Sequence, residues 1–231
     1  MIKKSKPEIS QSKAFTLIEL IVVISIIALL ISILLPAISR ATRLAACSRT
    51  RARITELAAG CEAYHTDYGY YPGQRYHNEL LGDGGTYTGS QWLAKALFTD
   101  PDVNPSFPHP KYAPLNVEDD LFQYETYSNT ISDRDDSGGT VMAVLYYPAR
   151  LGVSGLGQYK VGDNSVYKNL DGSNVNWGGN GTGQSAFEQY IKDRRFDGDA
   201  STTPHCPGKF LMIAAGMDRK YGTDDDIKYG W

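Results

Sequence analysis

Phe15-Thr16-Leu17-Ile18-Glu19-Leu20-Ile21-Val22-Val23-Ile24-Ser25-Ile26-Ile27-Ala28-Leu29-Leu30-Ile31-Ser32-Ile33-Leu34-Leu35-Pro36-Ala37-Ile38 carries one charged residue, Glu19. As a helix, these residues reach about 36 Å at about 1.5 Å each, enough to cross a hydrocarbon core about 30 Å thick with some tilt. Residues 15–38 therefore read as a transmembrane helix. Glu19 is the anomaly, because a carboxylate in mid-membrane costs about 2.5–3.5 kcal/mol on insertion scales, which makes it a functional residue by default. Pro36 removes one helical hydrogen bond and favours a kink; the plainer alternative is the end of a membrane helix.

Charge divides the rest of the chain. Residues 1–14 form a basic leader, with Lys3, Lys4, Lys6 and Lys13 against Glu8. Arg40, Arg43, Arg49, Arg51 and Arg53 follow the apolar run, and most of the acidic residues lie beyond Tyr68. Lysines on one side and arginines on the other leave the orientation open on charge alone. An acidic head lacks the Lys and Arg footprint that supplies most affinity for a phosphate backbone, so no nucleic-acid partner is expected.

Between Pro36 and Gly60 neither Gly nor Pro occurs, and Ile54, Leu57, Cys61, Tyr64 and Tyr68 recur at helical spacing. This pattern predicts an amphipathic stem helix over residues 39–68, stopped by Gly69-Tyr70-Tyr71-Pro72-Gly73. Residues 69–231 read as one loop-rich α+β head. Ser90 is placed as the cap of a short helix through Trp92, Leu93 and Leu97, and residues 186–191 as another. Residues 140–147 and 209–215 read as strands, and Gly152 to Gly183 as loops.

Lys13-Ala14-Phe15-Thr16-Leu17-Ile18-Glu19-Leu20-Ile21-Val22-Val23 resembles the processing site of type IV pilins and type II secretion pseudopilins. The resemblance implies that a prepilin peptidase cuts after Ala14, where the family usually has Gly, and N-methylates Phe15. It also implies a cytoplasmic leader, an inner-membrane helix retained in the mature protein, and a head in the periplasm or outside the cell. Phe15, Glu19 and Pro36 become assembly residues, with Glu19 balancing the new α-amino group of a neighbouring subunit, and burial of both charges relieved by pairing. Residues 63–72 resemble the end of the stem helix in secretion pseudopilins. The implied fold is pilin-like: a long N-terminal transmembrane and stem helix packed on a small antiparallel-sheet head.

Rival readings begin from the same segment. A secretory signal peptide has an apolar region of 7–15 residues and a small-residue cleavage site, which this longer run lacks. Leu44-Ala45-Ala46-Cys47 resembles a lipobox with Cys47 as acceptor, but Arg40 and Arg43 separate it from the apolar run, and it leaves Glu19 unexplained. The three cysteines, Cys47, Cys61 and Cys206, make neither a disulfide framework nor a paired zinc site. A Cys61–Cys206 bridge is open; buried free thiols are the plainer reading.

No catalytic motif emerges. Gly152-Val153-Ser154-Gly155-Leu156 lacks the last glycine of a nucleophile elbow, and His65, His77, His109 and His205 are scattered. Near the C-terminus, Gly216-Met217-Asp218-Arg219-Lys220-Tyr221-Gly222-Thr223-Asp224-Asp225-Asp226-Ile227 resembles the loop that holds calcium in major secretion pseudopilins, with Arg219 where that pattern commonly has Gly. The resemblance implies a calcium site on Asp218 and Asp226, with Asp224 and Asp225 next; hard cations suit such oxygen-rich sets. The alternative is a flexible acidic tail. The expected role is a non-enzymatic subunit of a type II secretion pseudopilus, assembled with copies of itself and other pseudopilins. A type IV pilus subunit, a surface lipoprotein and a membrane-anchored enzyme stay open.

Overall fold

The computed structural model describes residues 15–97, 122–125, 130–133 and 142–231. The leader, with Ala14, lies outside the described residues. The architecture is α+β: one long N-terminal helix, α1 (Leu17–Tyr68), and a head built on small antiparallel sheets. The chain divides into two compact units, residues 1–44 and residues 45–231.

In the first unit, α1 begins at Leu17, and every residue from Phe15 to Leu44 is exposed. From Leu20 to Ile38 these side chains are aliphatic except for Ser25 and Ser32, with no charged or polar face, which suits lipid or a neighbouring helix, not water. Its hydroxyls are satisfied within the helix: Ser25 Oγ donates to the Ile21 carbonyl at 2.7 Å and Ser32 Oγ to that of Leu29 at 2.7 Å. That is what an apolar solvent requires, since it offers no partner of its own. Pro36 sits inside α1 without ending it, so its reading as a helix terminus does not hold.

The second unit begins with the last turns of α1. Ile54, Leu57, Cys61 and Tyr64 are buried, as the apolar stripe predicts, Tyr68 is half-buried, Ala58 is buried beside them, and α1 ends at Tyr68 with Gly69 in the left-handed region. Helix α2 (Gly89–Leu97) follows. Strands β1 (Phe122–Glu125), β2 (Thr130–Asp133) and β3 (Met142–Ala143) make one antiparallel sheet in that order. The central sheet orders β4 (Leu145–Pro148), β5 (Phe210–Ala214) and β6 (Ile227–Tyr229). Helices α3 (Gln184–Ile191) and α4 (Arg194–Asp197) lie in the long connection between β4 and β5.

Both faces of the β4-β5 ladder are buried. Tyr146, Phe210, Met212 and Ala214 pack with the α1 stripe and with Leu93 and Leu97 of α2. Leu145, Tyr147, Leu211 and Ile213 face the other way, against Phe187 and Ile191 of α3, Trp177, Tyr159 and Tyr221. Alternation along a strand sends neighbours to opposite faces, so a strand covered on both sides reads as a continuous apolar run. Each fully buried Leu, Ile or Phe contributes about 1.5–3 kcal/mol.

Two expectations need correction. The strand expected over residues 140–147 is two strands in two sheets: Met142–Ala143 pairs with β2, Val144 leaves the ladder, and Leu145–Pro148 pairs with β5. The cap of α2 is Thr88, not Ser90. Thr88 Oγ1 accepts the Gln91 N–H at 3.0 Å while Gln91 Oε1 accepts the Thr88 N–H at 2.8 Å, a reciprocal capping box. Ser90 is buried and its hydroxyl donates to the Val144 carbonyl at 2.6 Å, pinning α2 to the chain where it changes sheet.

Polar anchors hold the loops. Arg150 Nη2 donates to Asp83 Oδ2 at 2.7 Å and to Asp163 Oδ1 at 2.6 Å, and Lys160 also pairs with Asp83. Burial pushes the Asp163 carboxyl up, with the Arg150 guanidinium opposing it. Cys61 is buried, Cys47 and Cys206 are half-buried, and none of the three is in a disulfide.

Candidate functional site

At the start of α1, Thr16 and Glu19 cap the helix reciprocally. Glu19 Oε2 accepts the Thr16 N–H at 2.9 Å and the Thr16 hydroxyl at 2.7 Å, and Thr16 Oγ1 accepts the Glu19 N–H at 3.3 Å. The first N–H groups of a helix have no intrahelical acceptor, so a carboxylate folded back over them satisfies donors and opposes the positive end of the helix dipole. Sequence reasoning singled out Glu19 and missed Thr16. The Thr-x-x-Glu spacing opening an apolar run was the available signal.

Phe15, Ile18, Glu19, Val22 and Val23 line a shallow, open notch on the helix surface. Phe15 is exposed, so its side chain and the Glu19 carboxylate are both presented outward. Their geometry is that of a contact surface with one polar group set in apolar surroundings. Pro36 lies away from this notch, further along the helix.

The second candidate is the turn from Gly216 to Ile227, which joins β5 to β6. Gly216 is required by close approach, because a Cβ there would meet the Asp225 carbonyl oxygen at 2.2 Å. Arg219, where the resembling pattern has Gly, takes the left-handed conformation with φ 58°. The turn geometry that glycine favours is therefore kept, at a backbone cost of about 1–2 kcal/mol for a residue with a Cβ.

The four aspartates point in different directions. Asp225 Oδ2 accepts the Asp218 N–H at 3.1 Å and its Oδ1 accepts the Thr223 hydroxyl at 2.7 Å, so Asp218 and Asp225 are brought together. Asp218 Oδ1 accepts the Lys220 N–H at 2.8 Å, and Asp224 is exposed. Asp226 turns inward: its Oδ2 accepts from Gly222 N–H at 2.7 Å, Thr223 N–H at 3.2 Å and the Tyr190 hydroxyl. Its Oδ1 is buried and has no hydrogen-bond partner among the described residues.

Charge in this turn follows from that geometry. Burial raises the Asp226 carboxyl to about 6, against the hydrogen bonds from Tyr190 and Gly222. Burial also acts to raise Asp225, but the Thr223 hydroxyl and backbone N–H groups outweigh it and hold the carboxyl low. Lys228, whose ammonium lies 4.3 Å from the Tyr190 ring centroid and 4.6 Å from that of Trp231, is pushed down by burial and held up by the three aspartates Asp224 to Asp226. An all-oxygen donor set with one orphaned buried carboxylate oxygen suits a hard cation such as calcium. Among the described residues, no three His, Cys, Asp or Glu side chains already converge on one point.

The described histidines occupy separate places: His65 stacks on Tyr71, His77 lies 3.5 Å from Asp83, and His205 stacks on Trp231.

Residues 9–35 match the family model for the prokaryotic N-terminal methylation motif. No curated protein and no solved structure matches the chain. The match supports a type IV pilin-like subunit, and α1 is long and apolar enough to serve as its membrane anchor. The motif implies processing by a prepilin peptidase and assembly into multimers.

Proposed function

We propose that this chain is a structural subunit of a type II secretion pseudopilus, and not an enzyme. The observation that carries the reading is the methylation motif coinciding with an exposed apolar helix whose first turn presents Thr16 and Glu19. The peptidase cuts between Ala14 and Phe15 and methylates Phe15. The new amine and the Glu19 carboxylate are each costly in apolar surroundings, and pairing between neighbouring copies relieves both. Both bonds of the Thr16 cap fall on Glu19 Oε2, so Oε1 can accept from the neighbour's amine while the cap is kept. The leader lies in the cytoplasm, the helix in the inner membrane and the head in the periplasm or outside the cell, where filament growth moves folded proteins outward.

Resemblance of residues 63–72 and of the 216–227 turn to secretion pseudopilins favours pseudopilus over type IV pilus. Mass spectrometry of the membrane-extracted protein should find N-methylated Phe15; a diacylated Cys47 would instead make the chain a lipoprotein. Deleting the gene should abolish export of folded proteins and leave surface pili intact. Loss of pili with normal export would make it a pilus subunit.

We also propose that the 216–227 turn binds calcium through Asp218, Asp224, Asp225 and Asp226. The buried Asp226 Oδ1 without a partner supports this, as a cation there supplies the missing interaction. Calorimetric titration of the protein tests it: binding should be lost in the Asp218→Ala and Asp226→Ala variants, and no heat from the wild type would remove the site.

A further inference from the structure

We propose that Arg40 and Arg43 bind the phosphate groups of anionic phospholipids and thereby fix the depth of the apolar helix. The proposal rests on the membrane-anchored reading above. Both side chains are exposed, and both lie beyond the residues matched by the methylation motif. Three residues apart on α1, they project about 60° from one another and form one cationic face.

Like charges at this spacing repel, and helices usually relieve such a pair with an acid one turn away. None is in reach here, for between Glu19 and Glu56 the sequence contains no Asp or Glu. Arg53, by contrast, is paired to Glu56 at 2.8 Å. Among the described residues no ion pair engages Arg40 or Arg43. An anion that pairs with them has therefore to be supplied from outside the helix.

Position names it. Arg40 follows the apolar run after a single residue, Ser39, where a spanning helix leaves hydrocarbon and meets headgroups. A guanidinium fork matches two phosphate oxygens, and its stem can lie along apolar surface. The same anchor places Glu19. From Ser39 back to Glu19 an untilted helix measures about 30 Å, the thickness of the hydrocarbon core. With the arginines held in one headgroup layer, Glu19 therefore reaches the opposite hydrocarbon edge instead of mid-membrane. The stored subunit thus keeps its carboxylate and cap near water, which lessens the insertion penalty.

The full chain in mild detergent, mixed with equal amounts of phosphatidylglycerol and phosphatidylcholine, is analysed for retained lipid by native mass spectrometry. Two arginines near an anionic surface should give phosphatidylglycerol a preference of about 30-fold. The preference should fall with salt and vanish in Arg40→Gln with Arg43→Gln, while Arg49→Gln with Arg51→Gln retains most of it. Equal retention of both lipids, or a preference that survives the Arg40/Arg43 change, overturns the proposal. Displacement of phosphatidylglycerol by inorganic phosphate at matched concentration also overturns it, since the site would then be one for free anions. Flotation with vesicles separates the premise from the inference: a chain that never enters the bilayer removes both, whereas one that enters without lipid preference removes only the anchor.

Discussion

Asp226 ties the stability of the head to pH in a direction opposite to that of most carboxylates. Its carboxyl stands at about 6 in the folded protein, against about 3.9 in an unfolded chain. A carboxyl raised by folding contributes fully below about pH 4, and that contribution is lost as pH rises through 6. Two units at about 1.36 kcal/mol each make the loss about 3 kcal/mol, complete near pH 7.5. The fragment 45–231, which forms a compact unit of its own, is unfolded in urea with chelator present at pH values from 4 to 7.5. Wild type and Asp226→Asn share every other titrating group, so the depressed carboxyls of Asp83, Asp193 and Asp225 cancel in the difference.

The expected result is that Asn gains on wild type by about 2.5 kcal/mol between pH 4 and pH 7.5, because the unfolded carboxyl is already half ionised at pH 4. Parallel stability curves would refute the reasoning, because they would mean that Asp226 ionises in the fold as easily as in water. Calcium supplies a second, independent arm. At 100 times its dissociation constant it should stabilise the wild type at pH 7.5 by about 2.7 kcal/mol and leave Asp226→Asn unmoved. If calcium changes neither protein, the metal proposal falls while the burial of Asp226 stands.

Arg150→Ala should cost the head about 3–5 kcal/mol in urea unfolding, since it strands the fully buried Asp163 without its partner; a loss below about 1 kcal/mol would show that the cluster is solvated. Adding Asp163→Asn should recover part of that loss. Thr88→Ala should cost about 1 kcal/mol through the α2 cap, and an unchanged midpoint would assign the cap elsewhere. Glu19→Ala should leave membrane insertion intact or improve it while stopping filament assembly, and normal filaments from that variant would remove its proposed role.

The long helix and its buried stripe were legible because both signals are local. An uncharged run longer than a bilayer and apolar residues at three- and four-residue spacing depend on no distant partner, and Ile54, Leu57, Cys61 and Tyr64 are buried as that spacing requires. Sheet membership is different in kind. Residues 142–148 are apolar throughout because both sheets bury them, so periodicity does not reveal that Val144 is where the chain passes from β2 to β5 as its partner. Gly152 to Gly183 is loop, as expected, but the path of these loops was not legible, for a related reason. They are held by side chains that reach far along the sequence, such as Asn164 Nδ2 donating to the Tyr146 carbonyl at 2.8 Å and Asn169 Oδ1 accepting the Tyr221 N–H at 2.9 Å.

The functional residues divide along the same line. Glu19 stood out as a lone charge in an apolar run, whereas Thr16, which holds its carboxylate by reciprocal hydrogen bonds, was marked only by the Thr-x-x-Glu spacing. Asp218, Asp224, Asp225 and Asp226 were legible as an acidic turn, but not which of them turns inward. That choice is made by Tyr190, 36 residues away, together with the Gly222 and Thr223 N–H groups that face Asp226 Oδ2. Three donors fix one oxygen and leave the other buried without a partner. Composition can thus locate a charge, but only the packed environment decides whether it acts as a solvated turn, a protonated plug or a cation ligand.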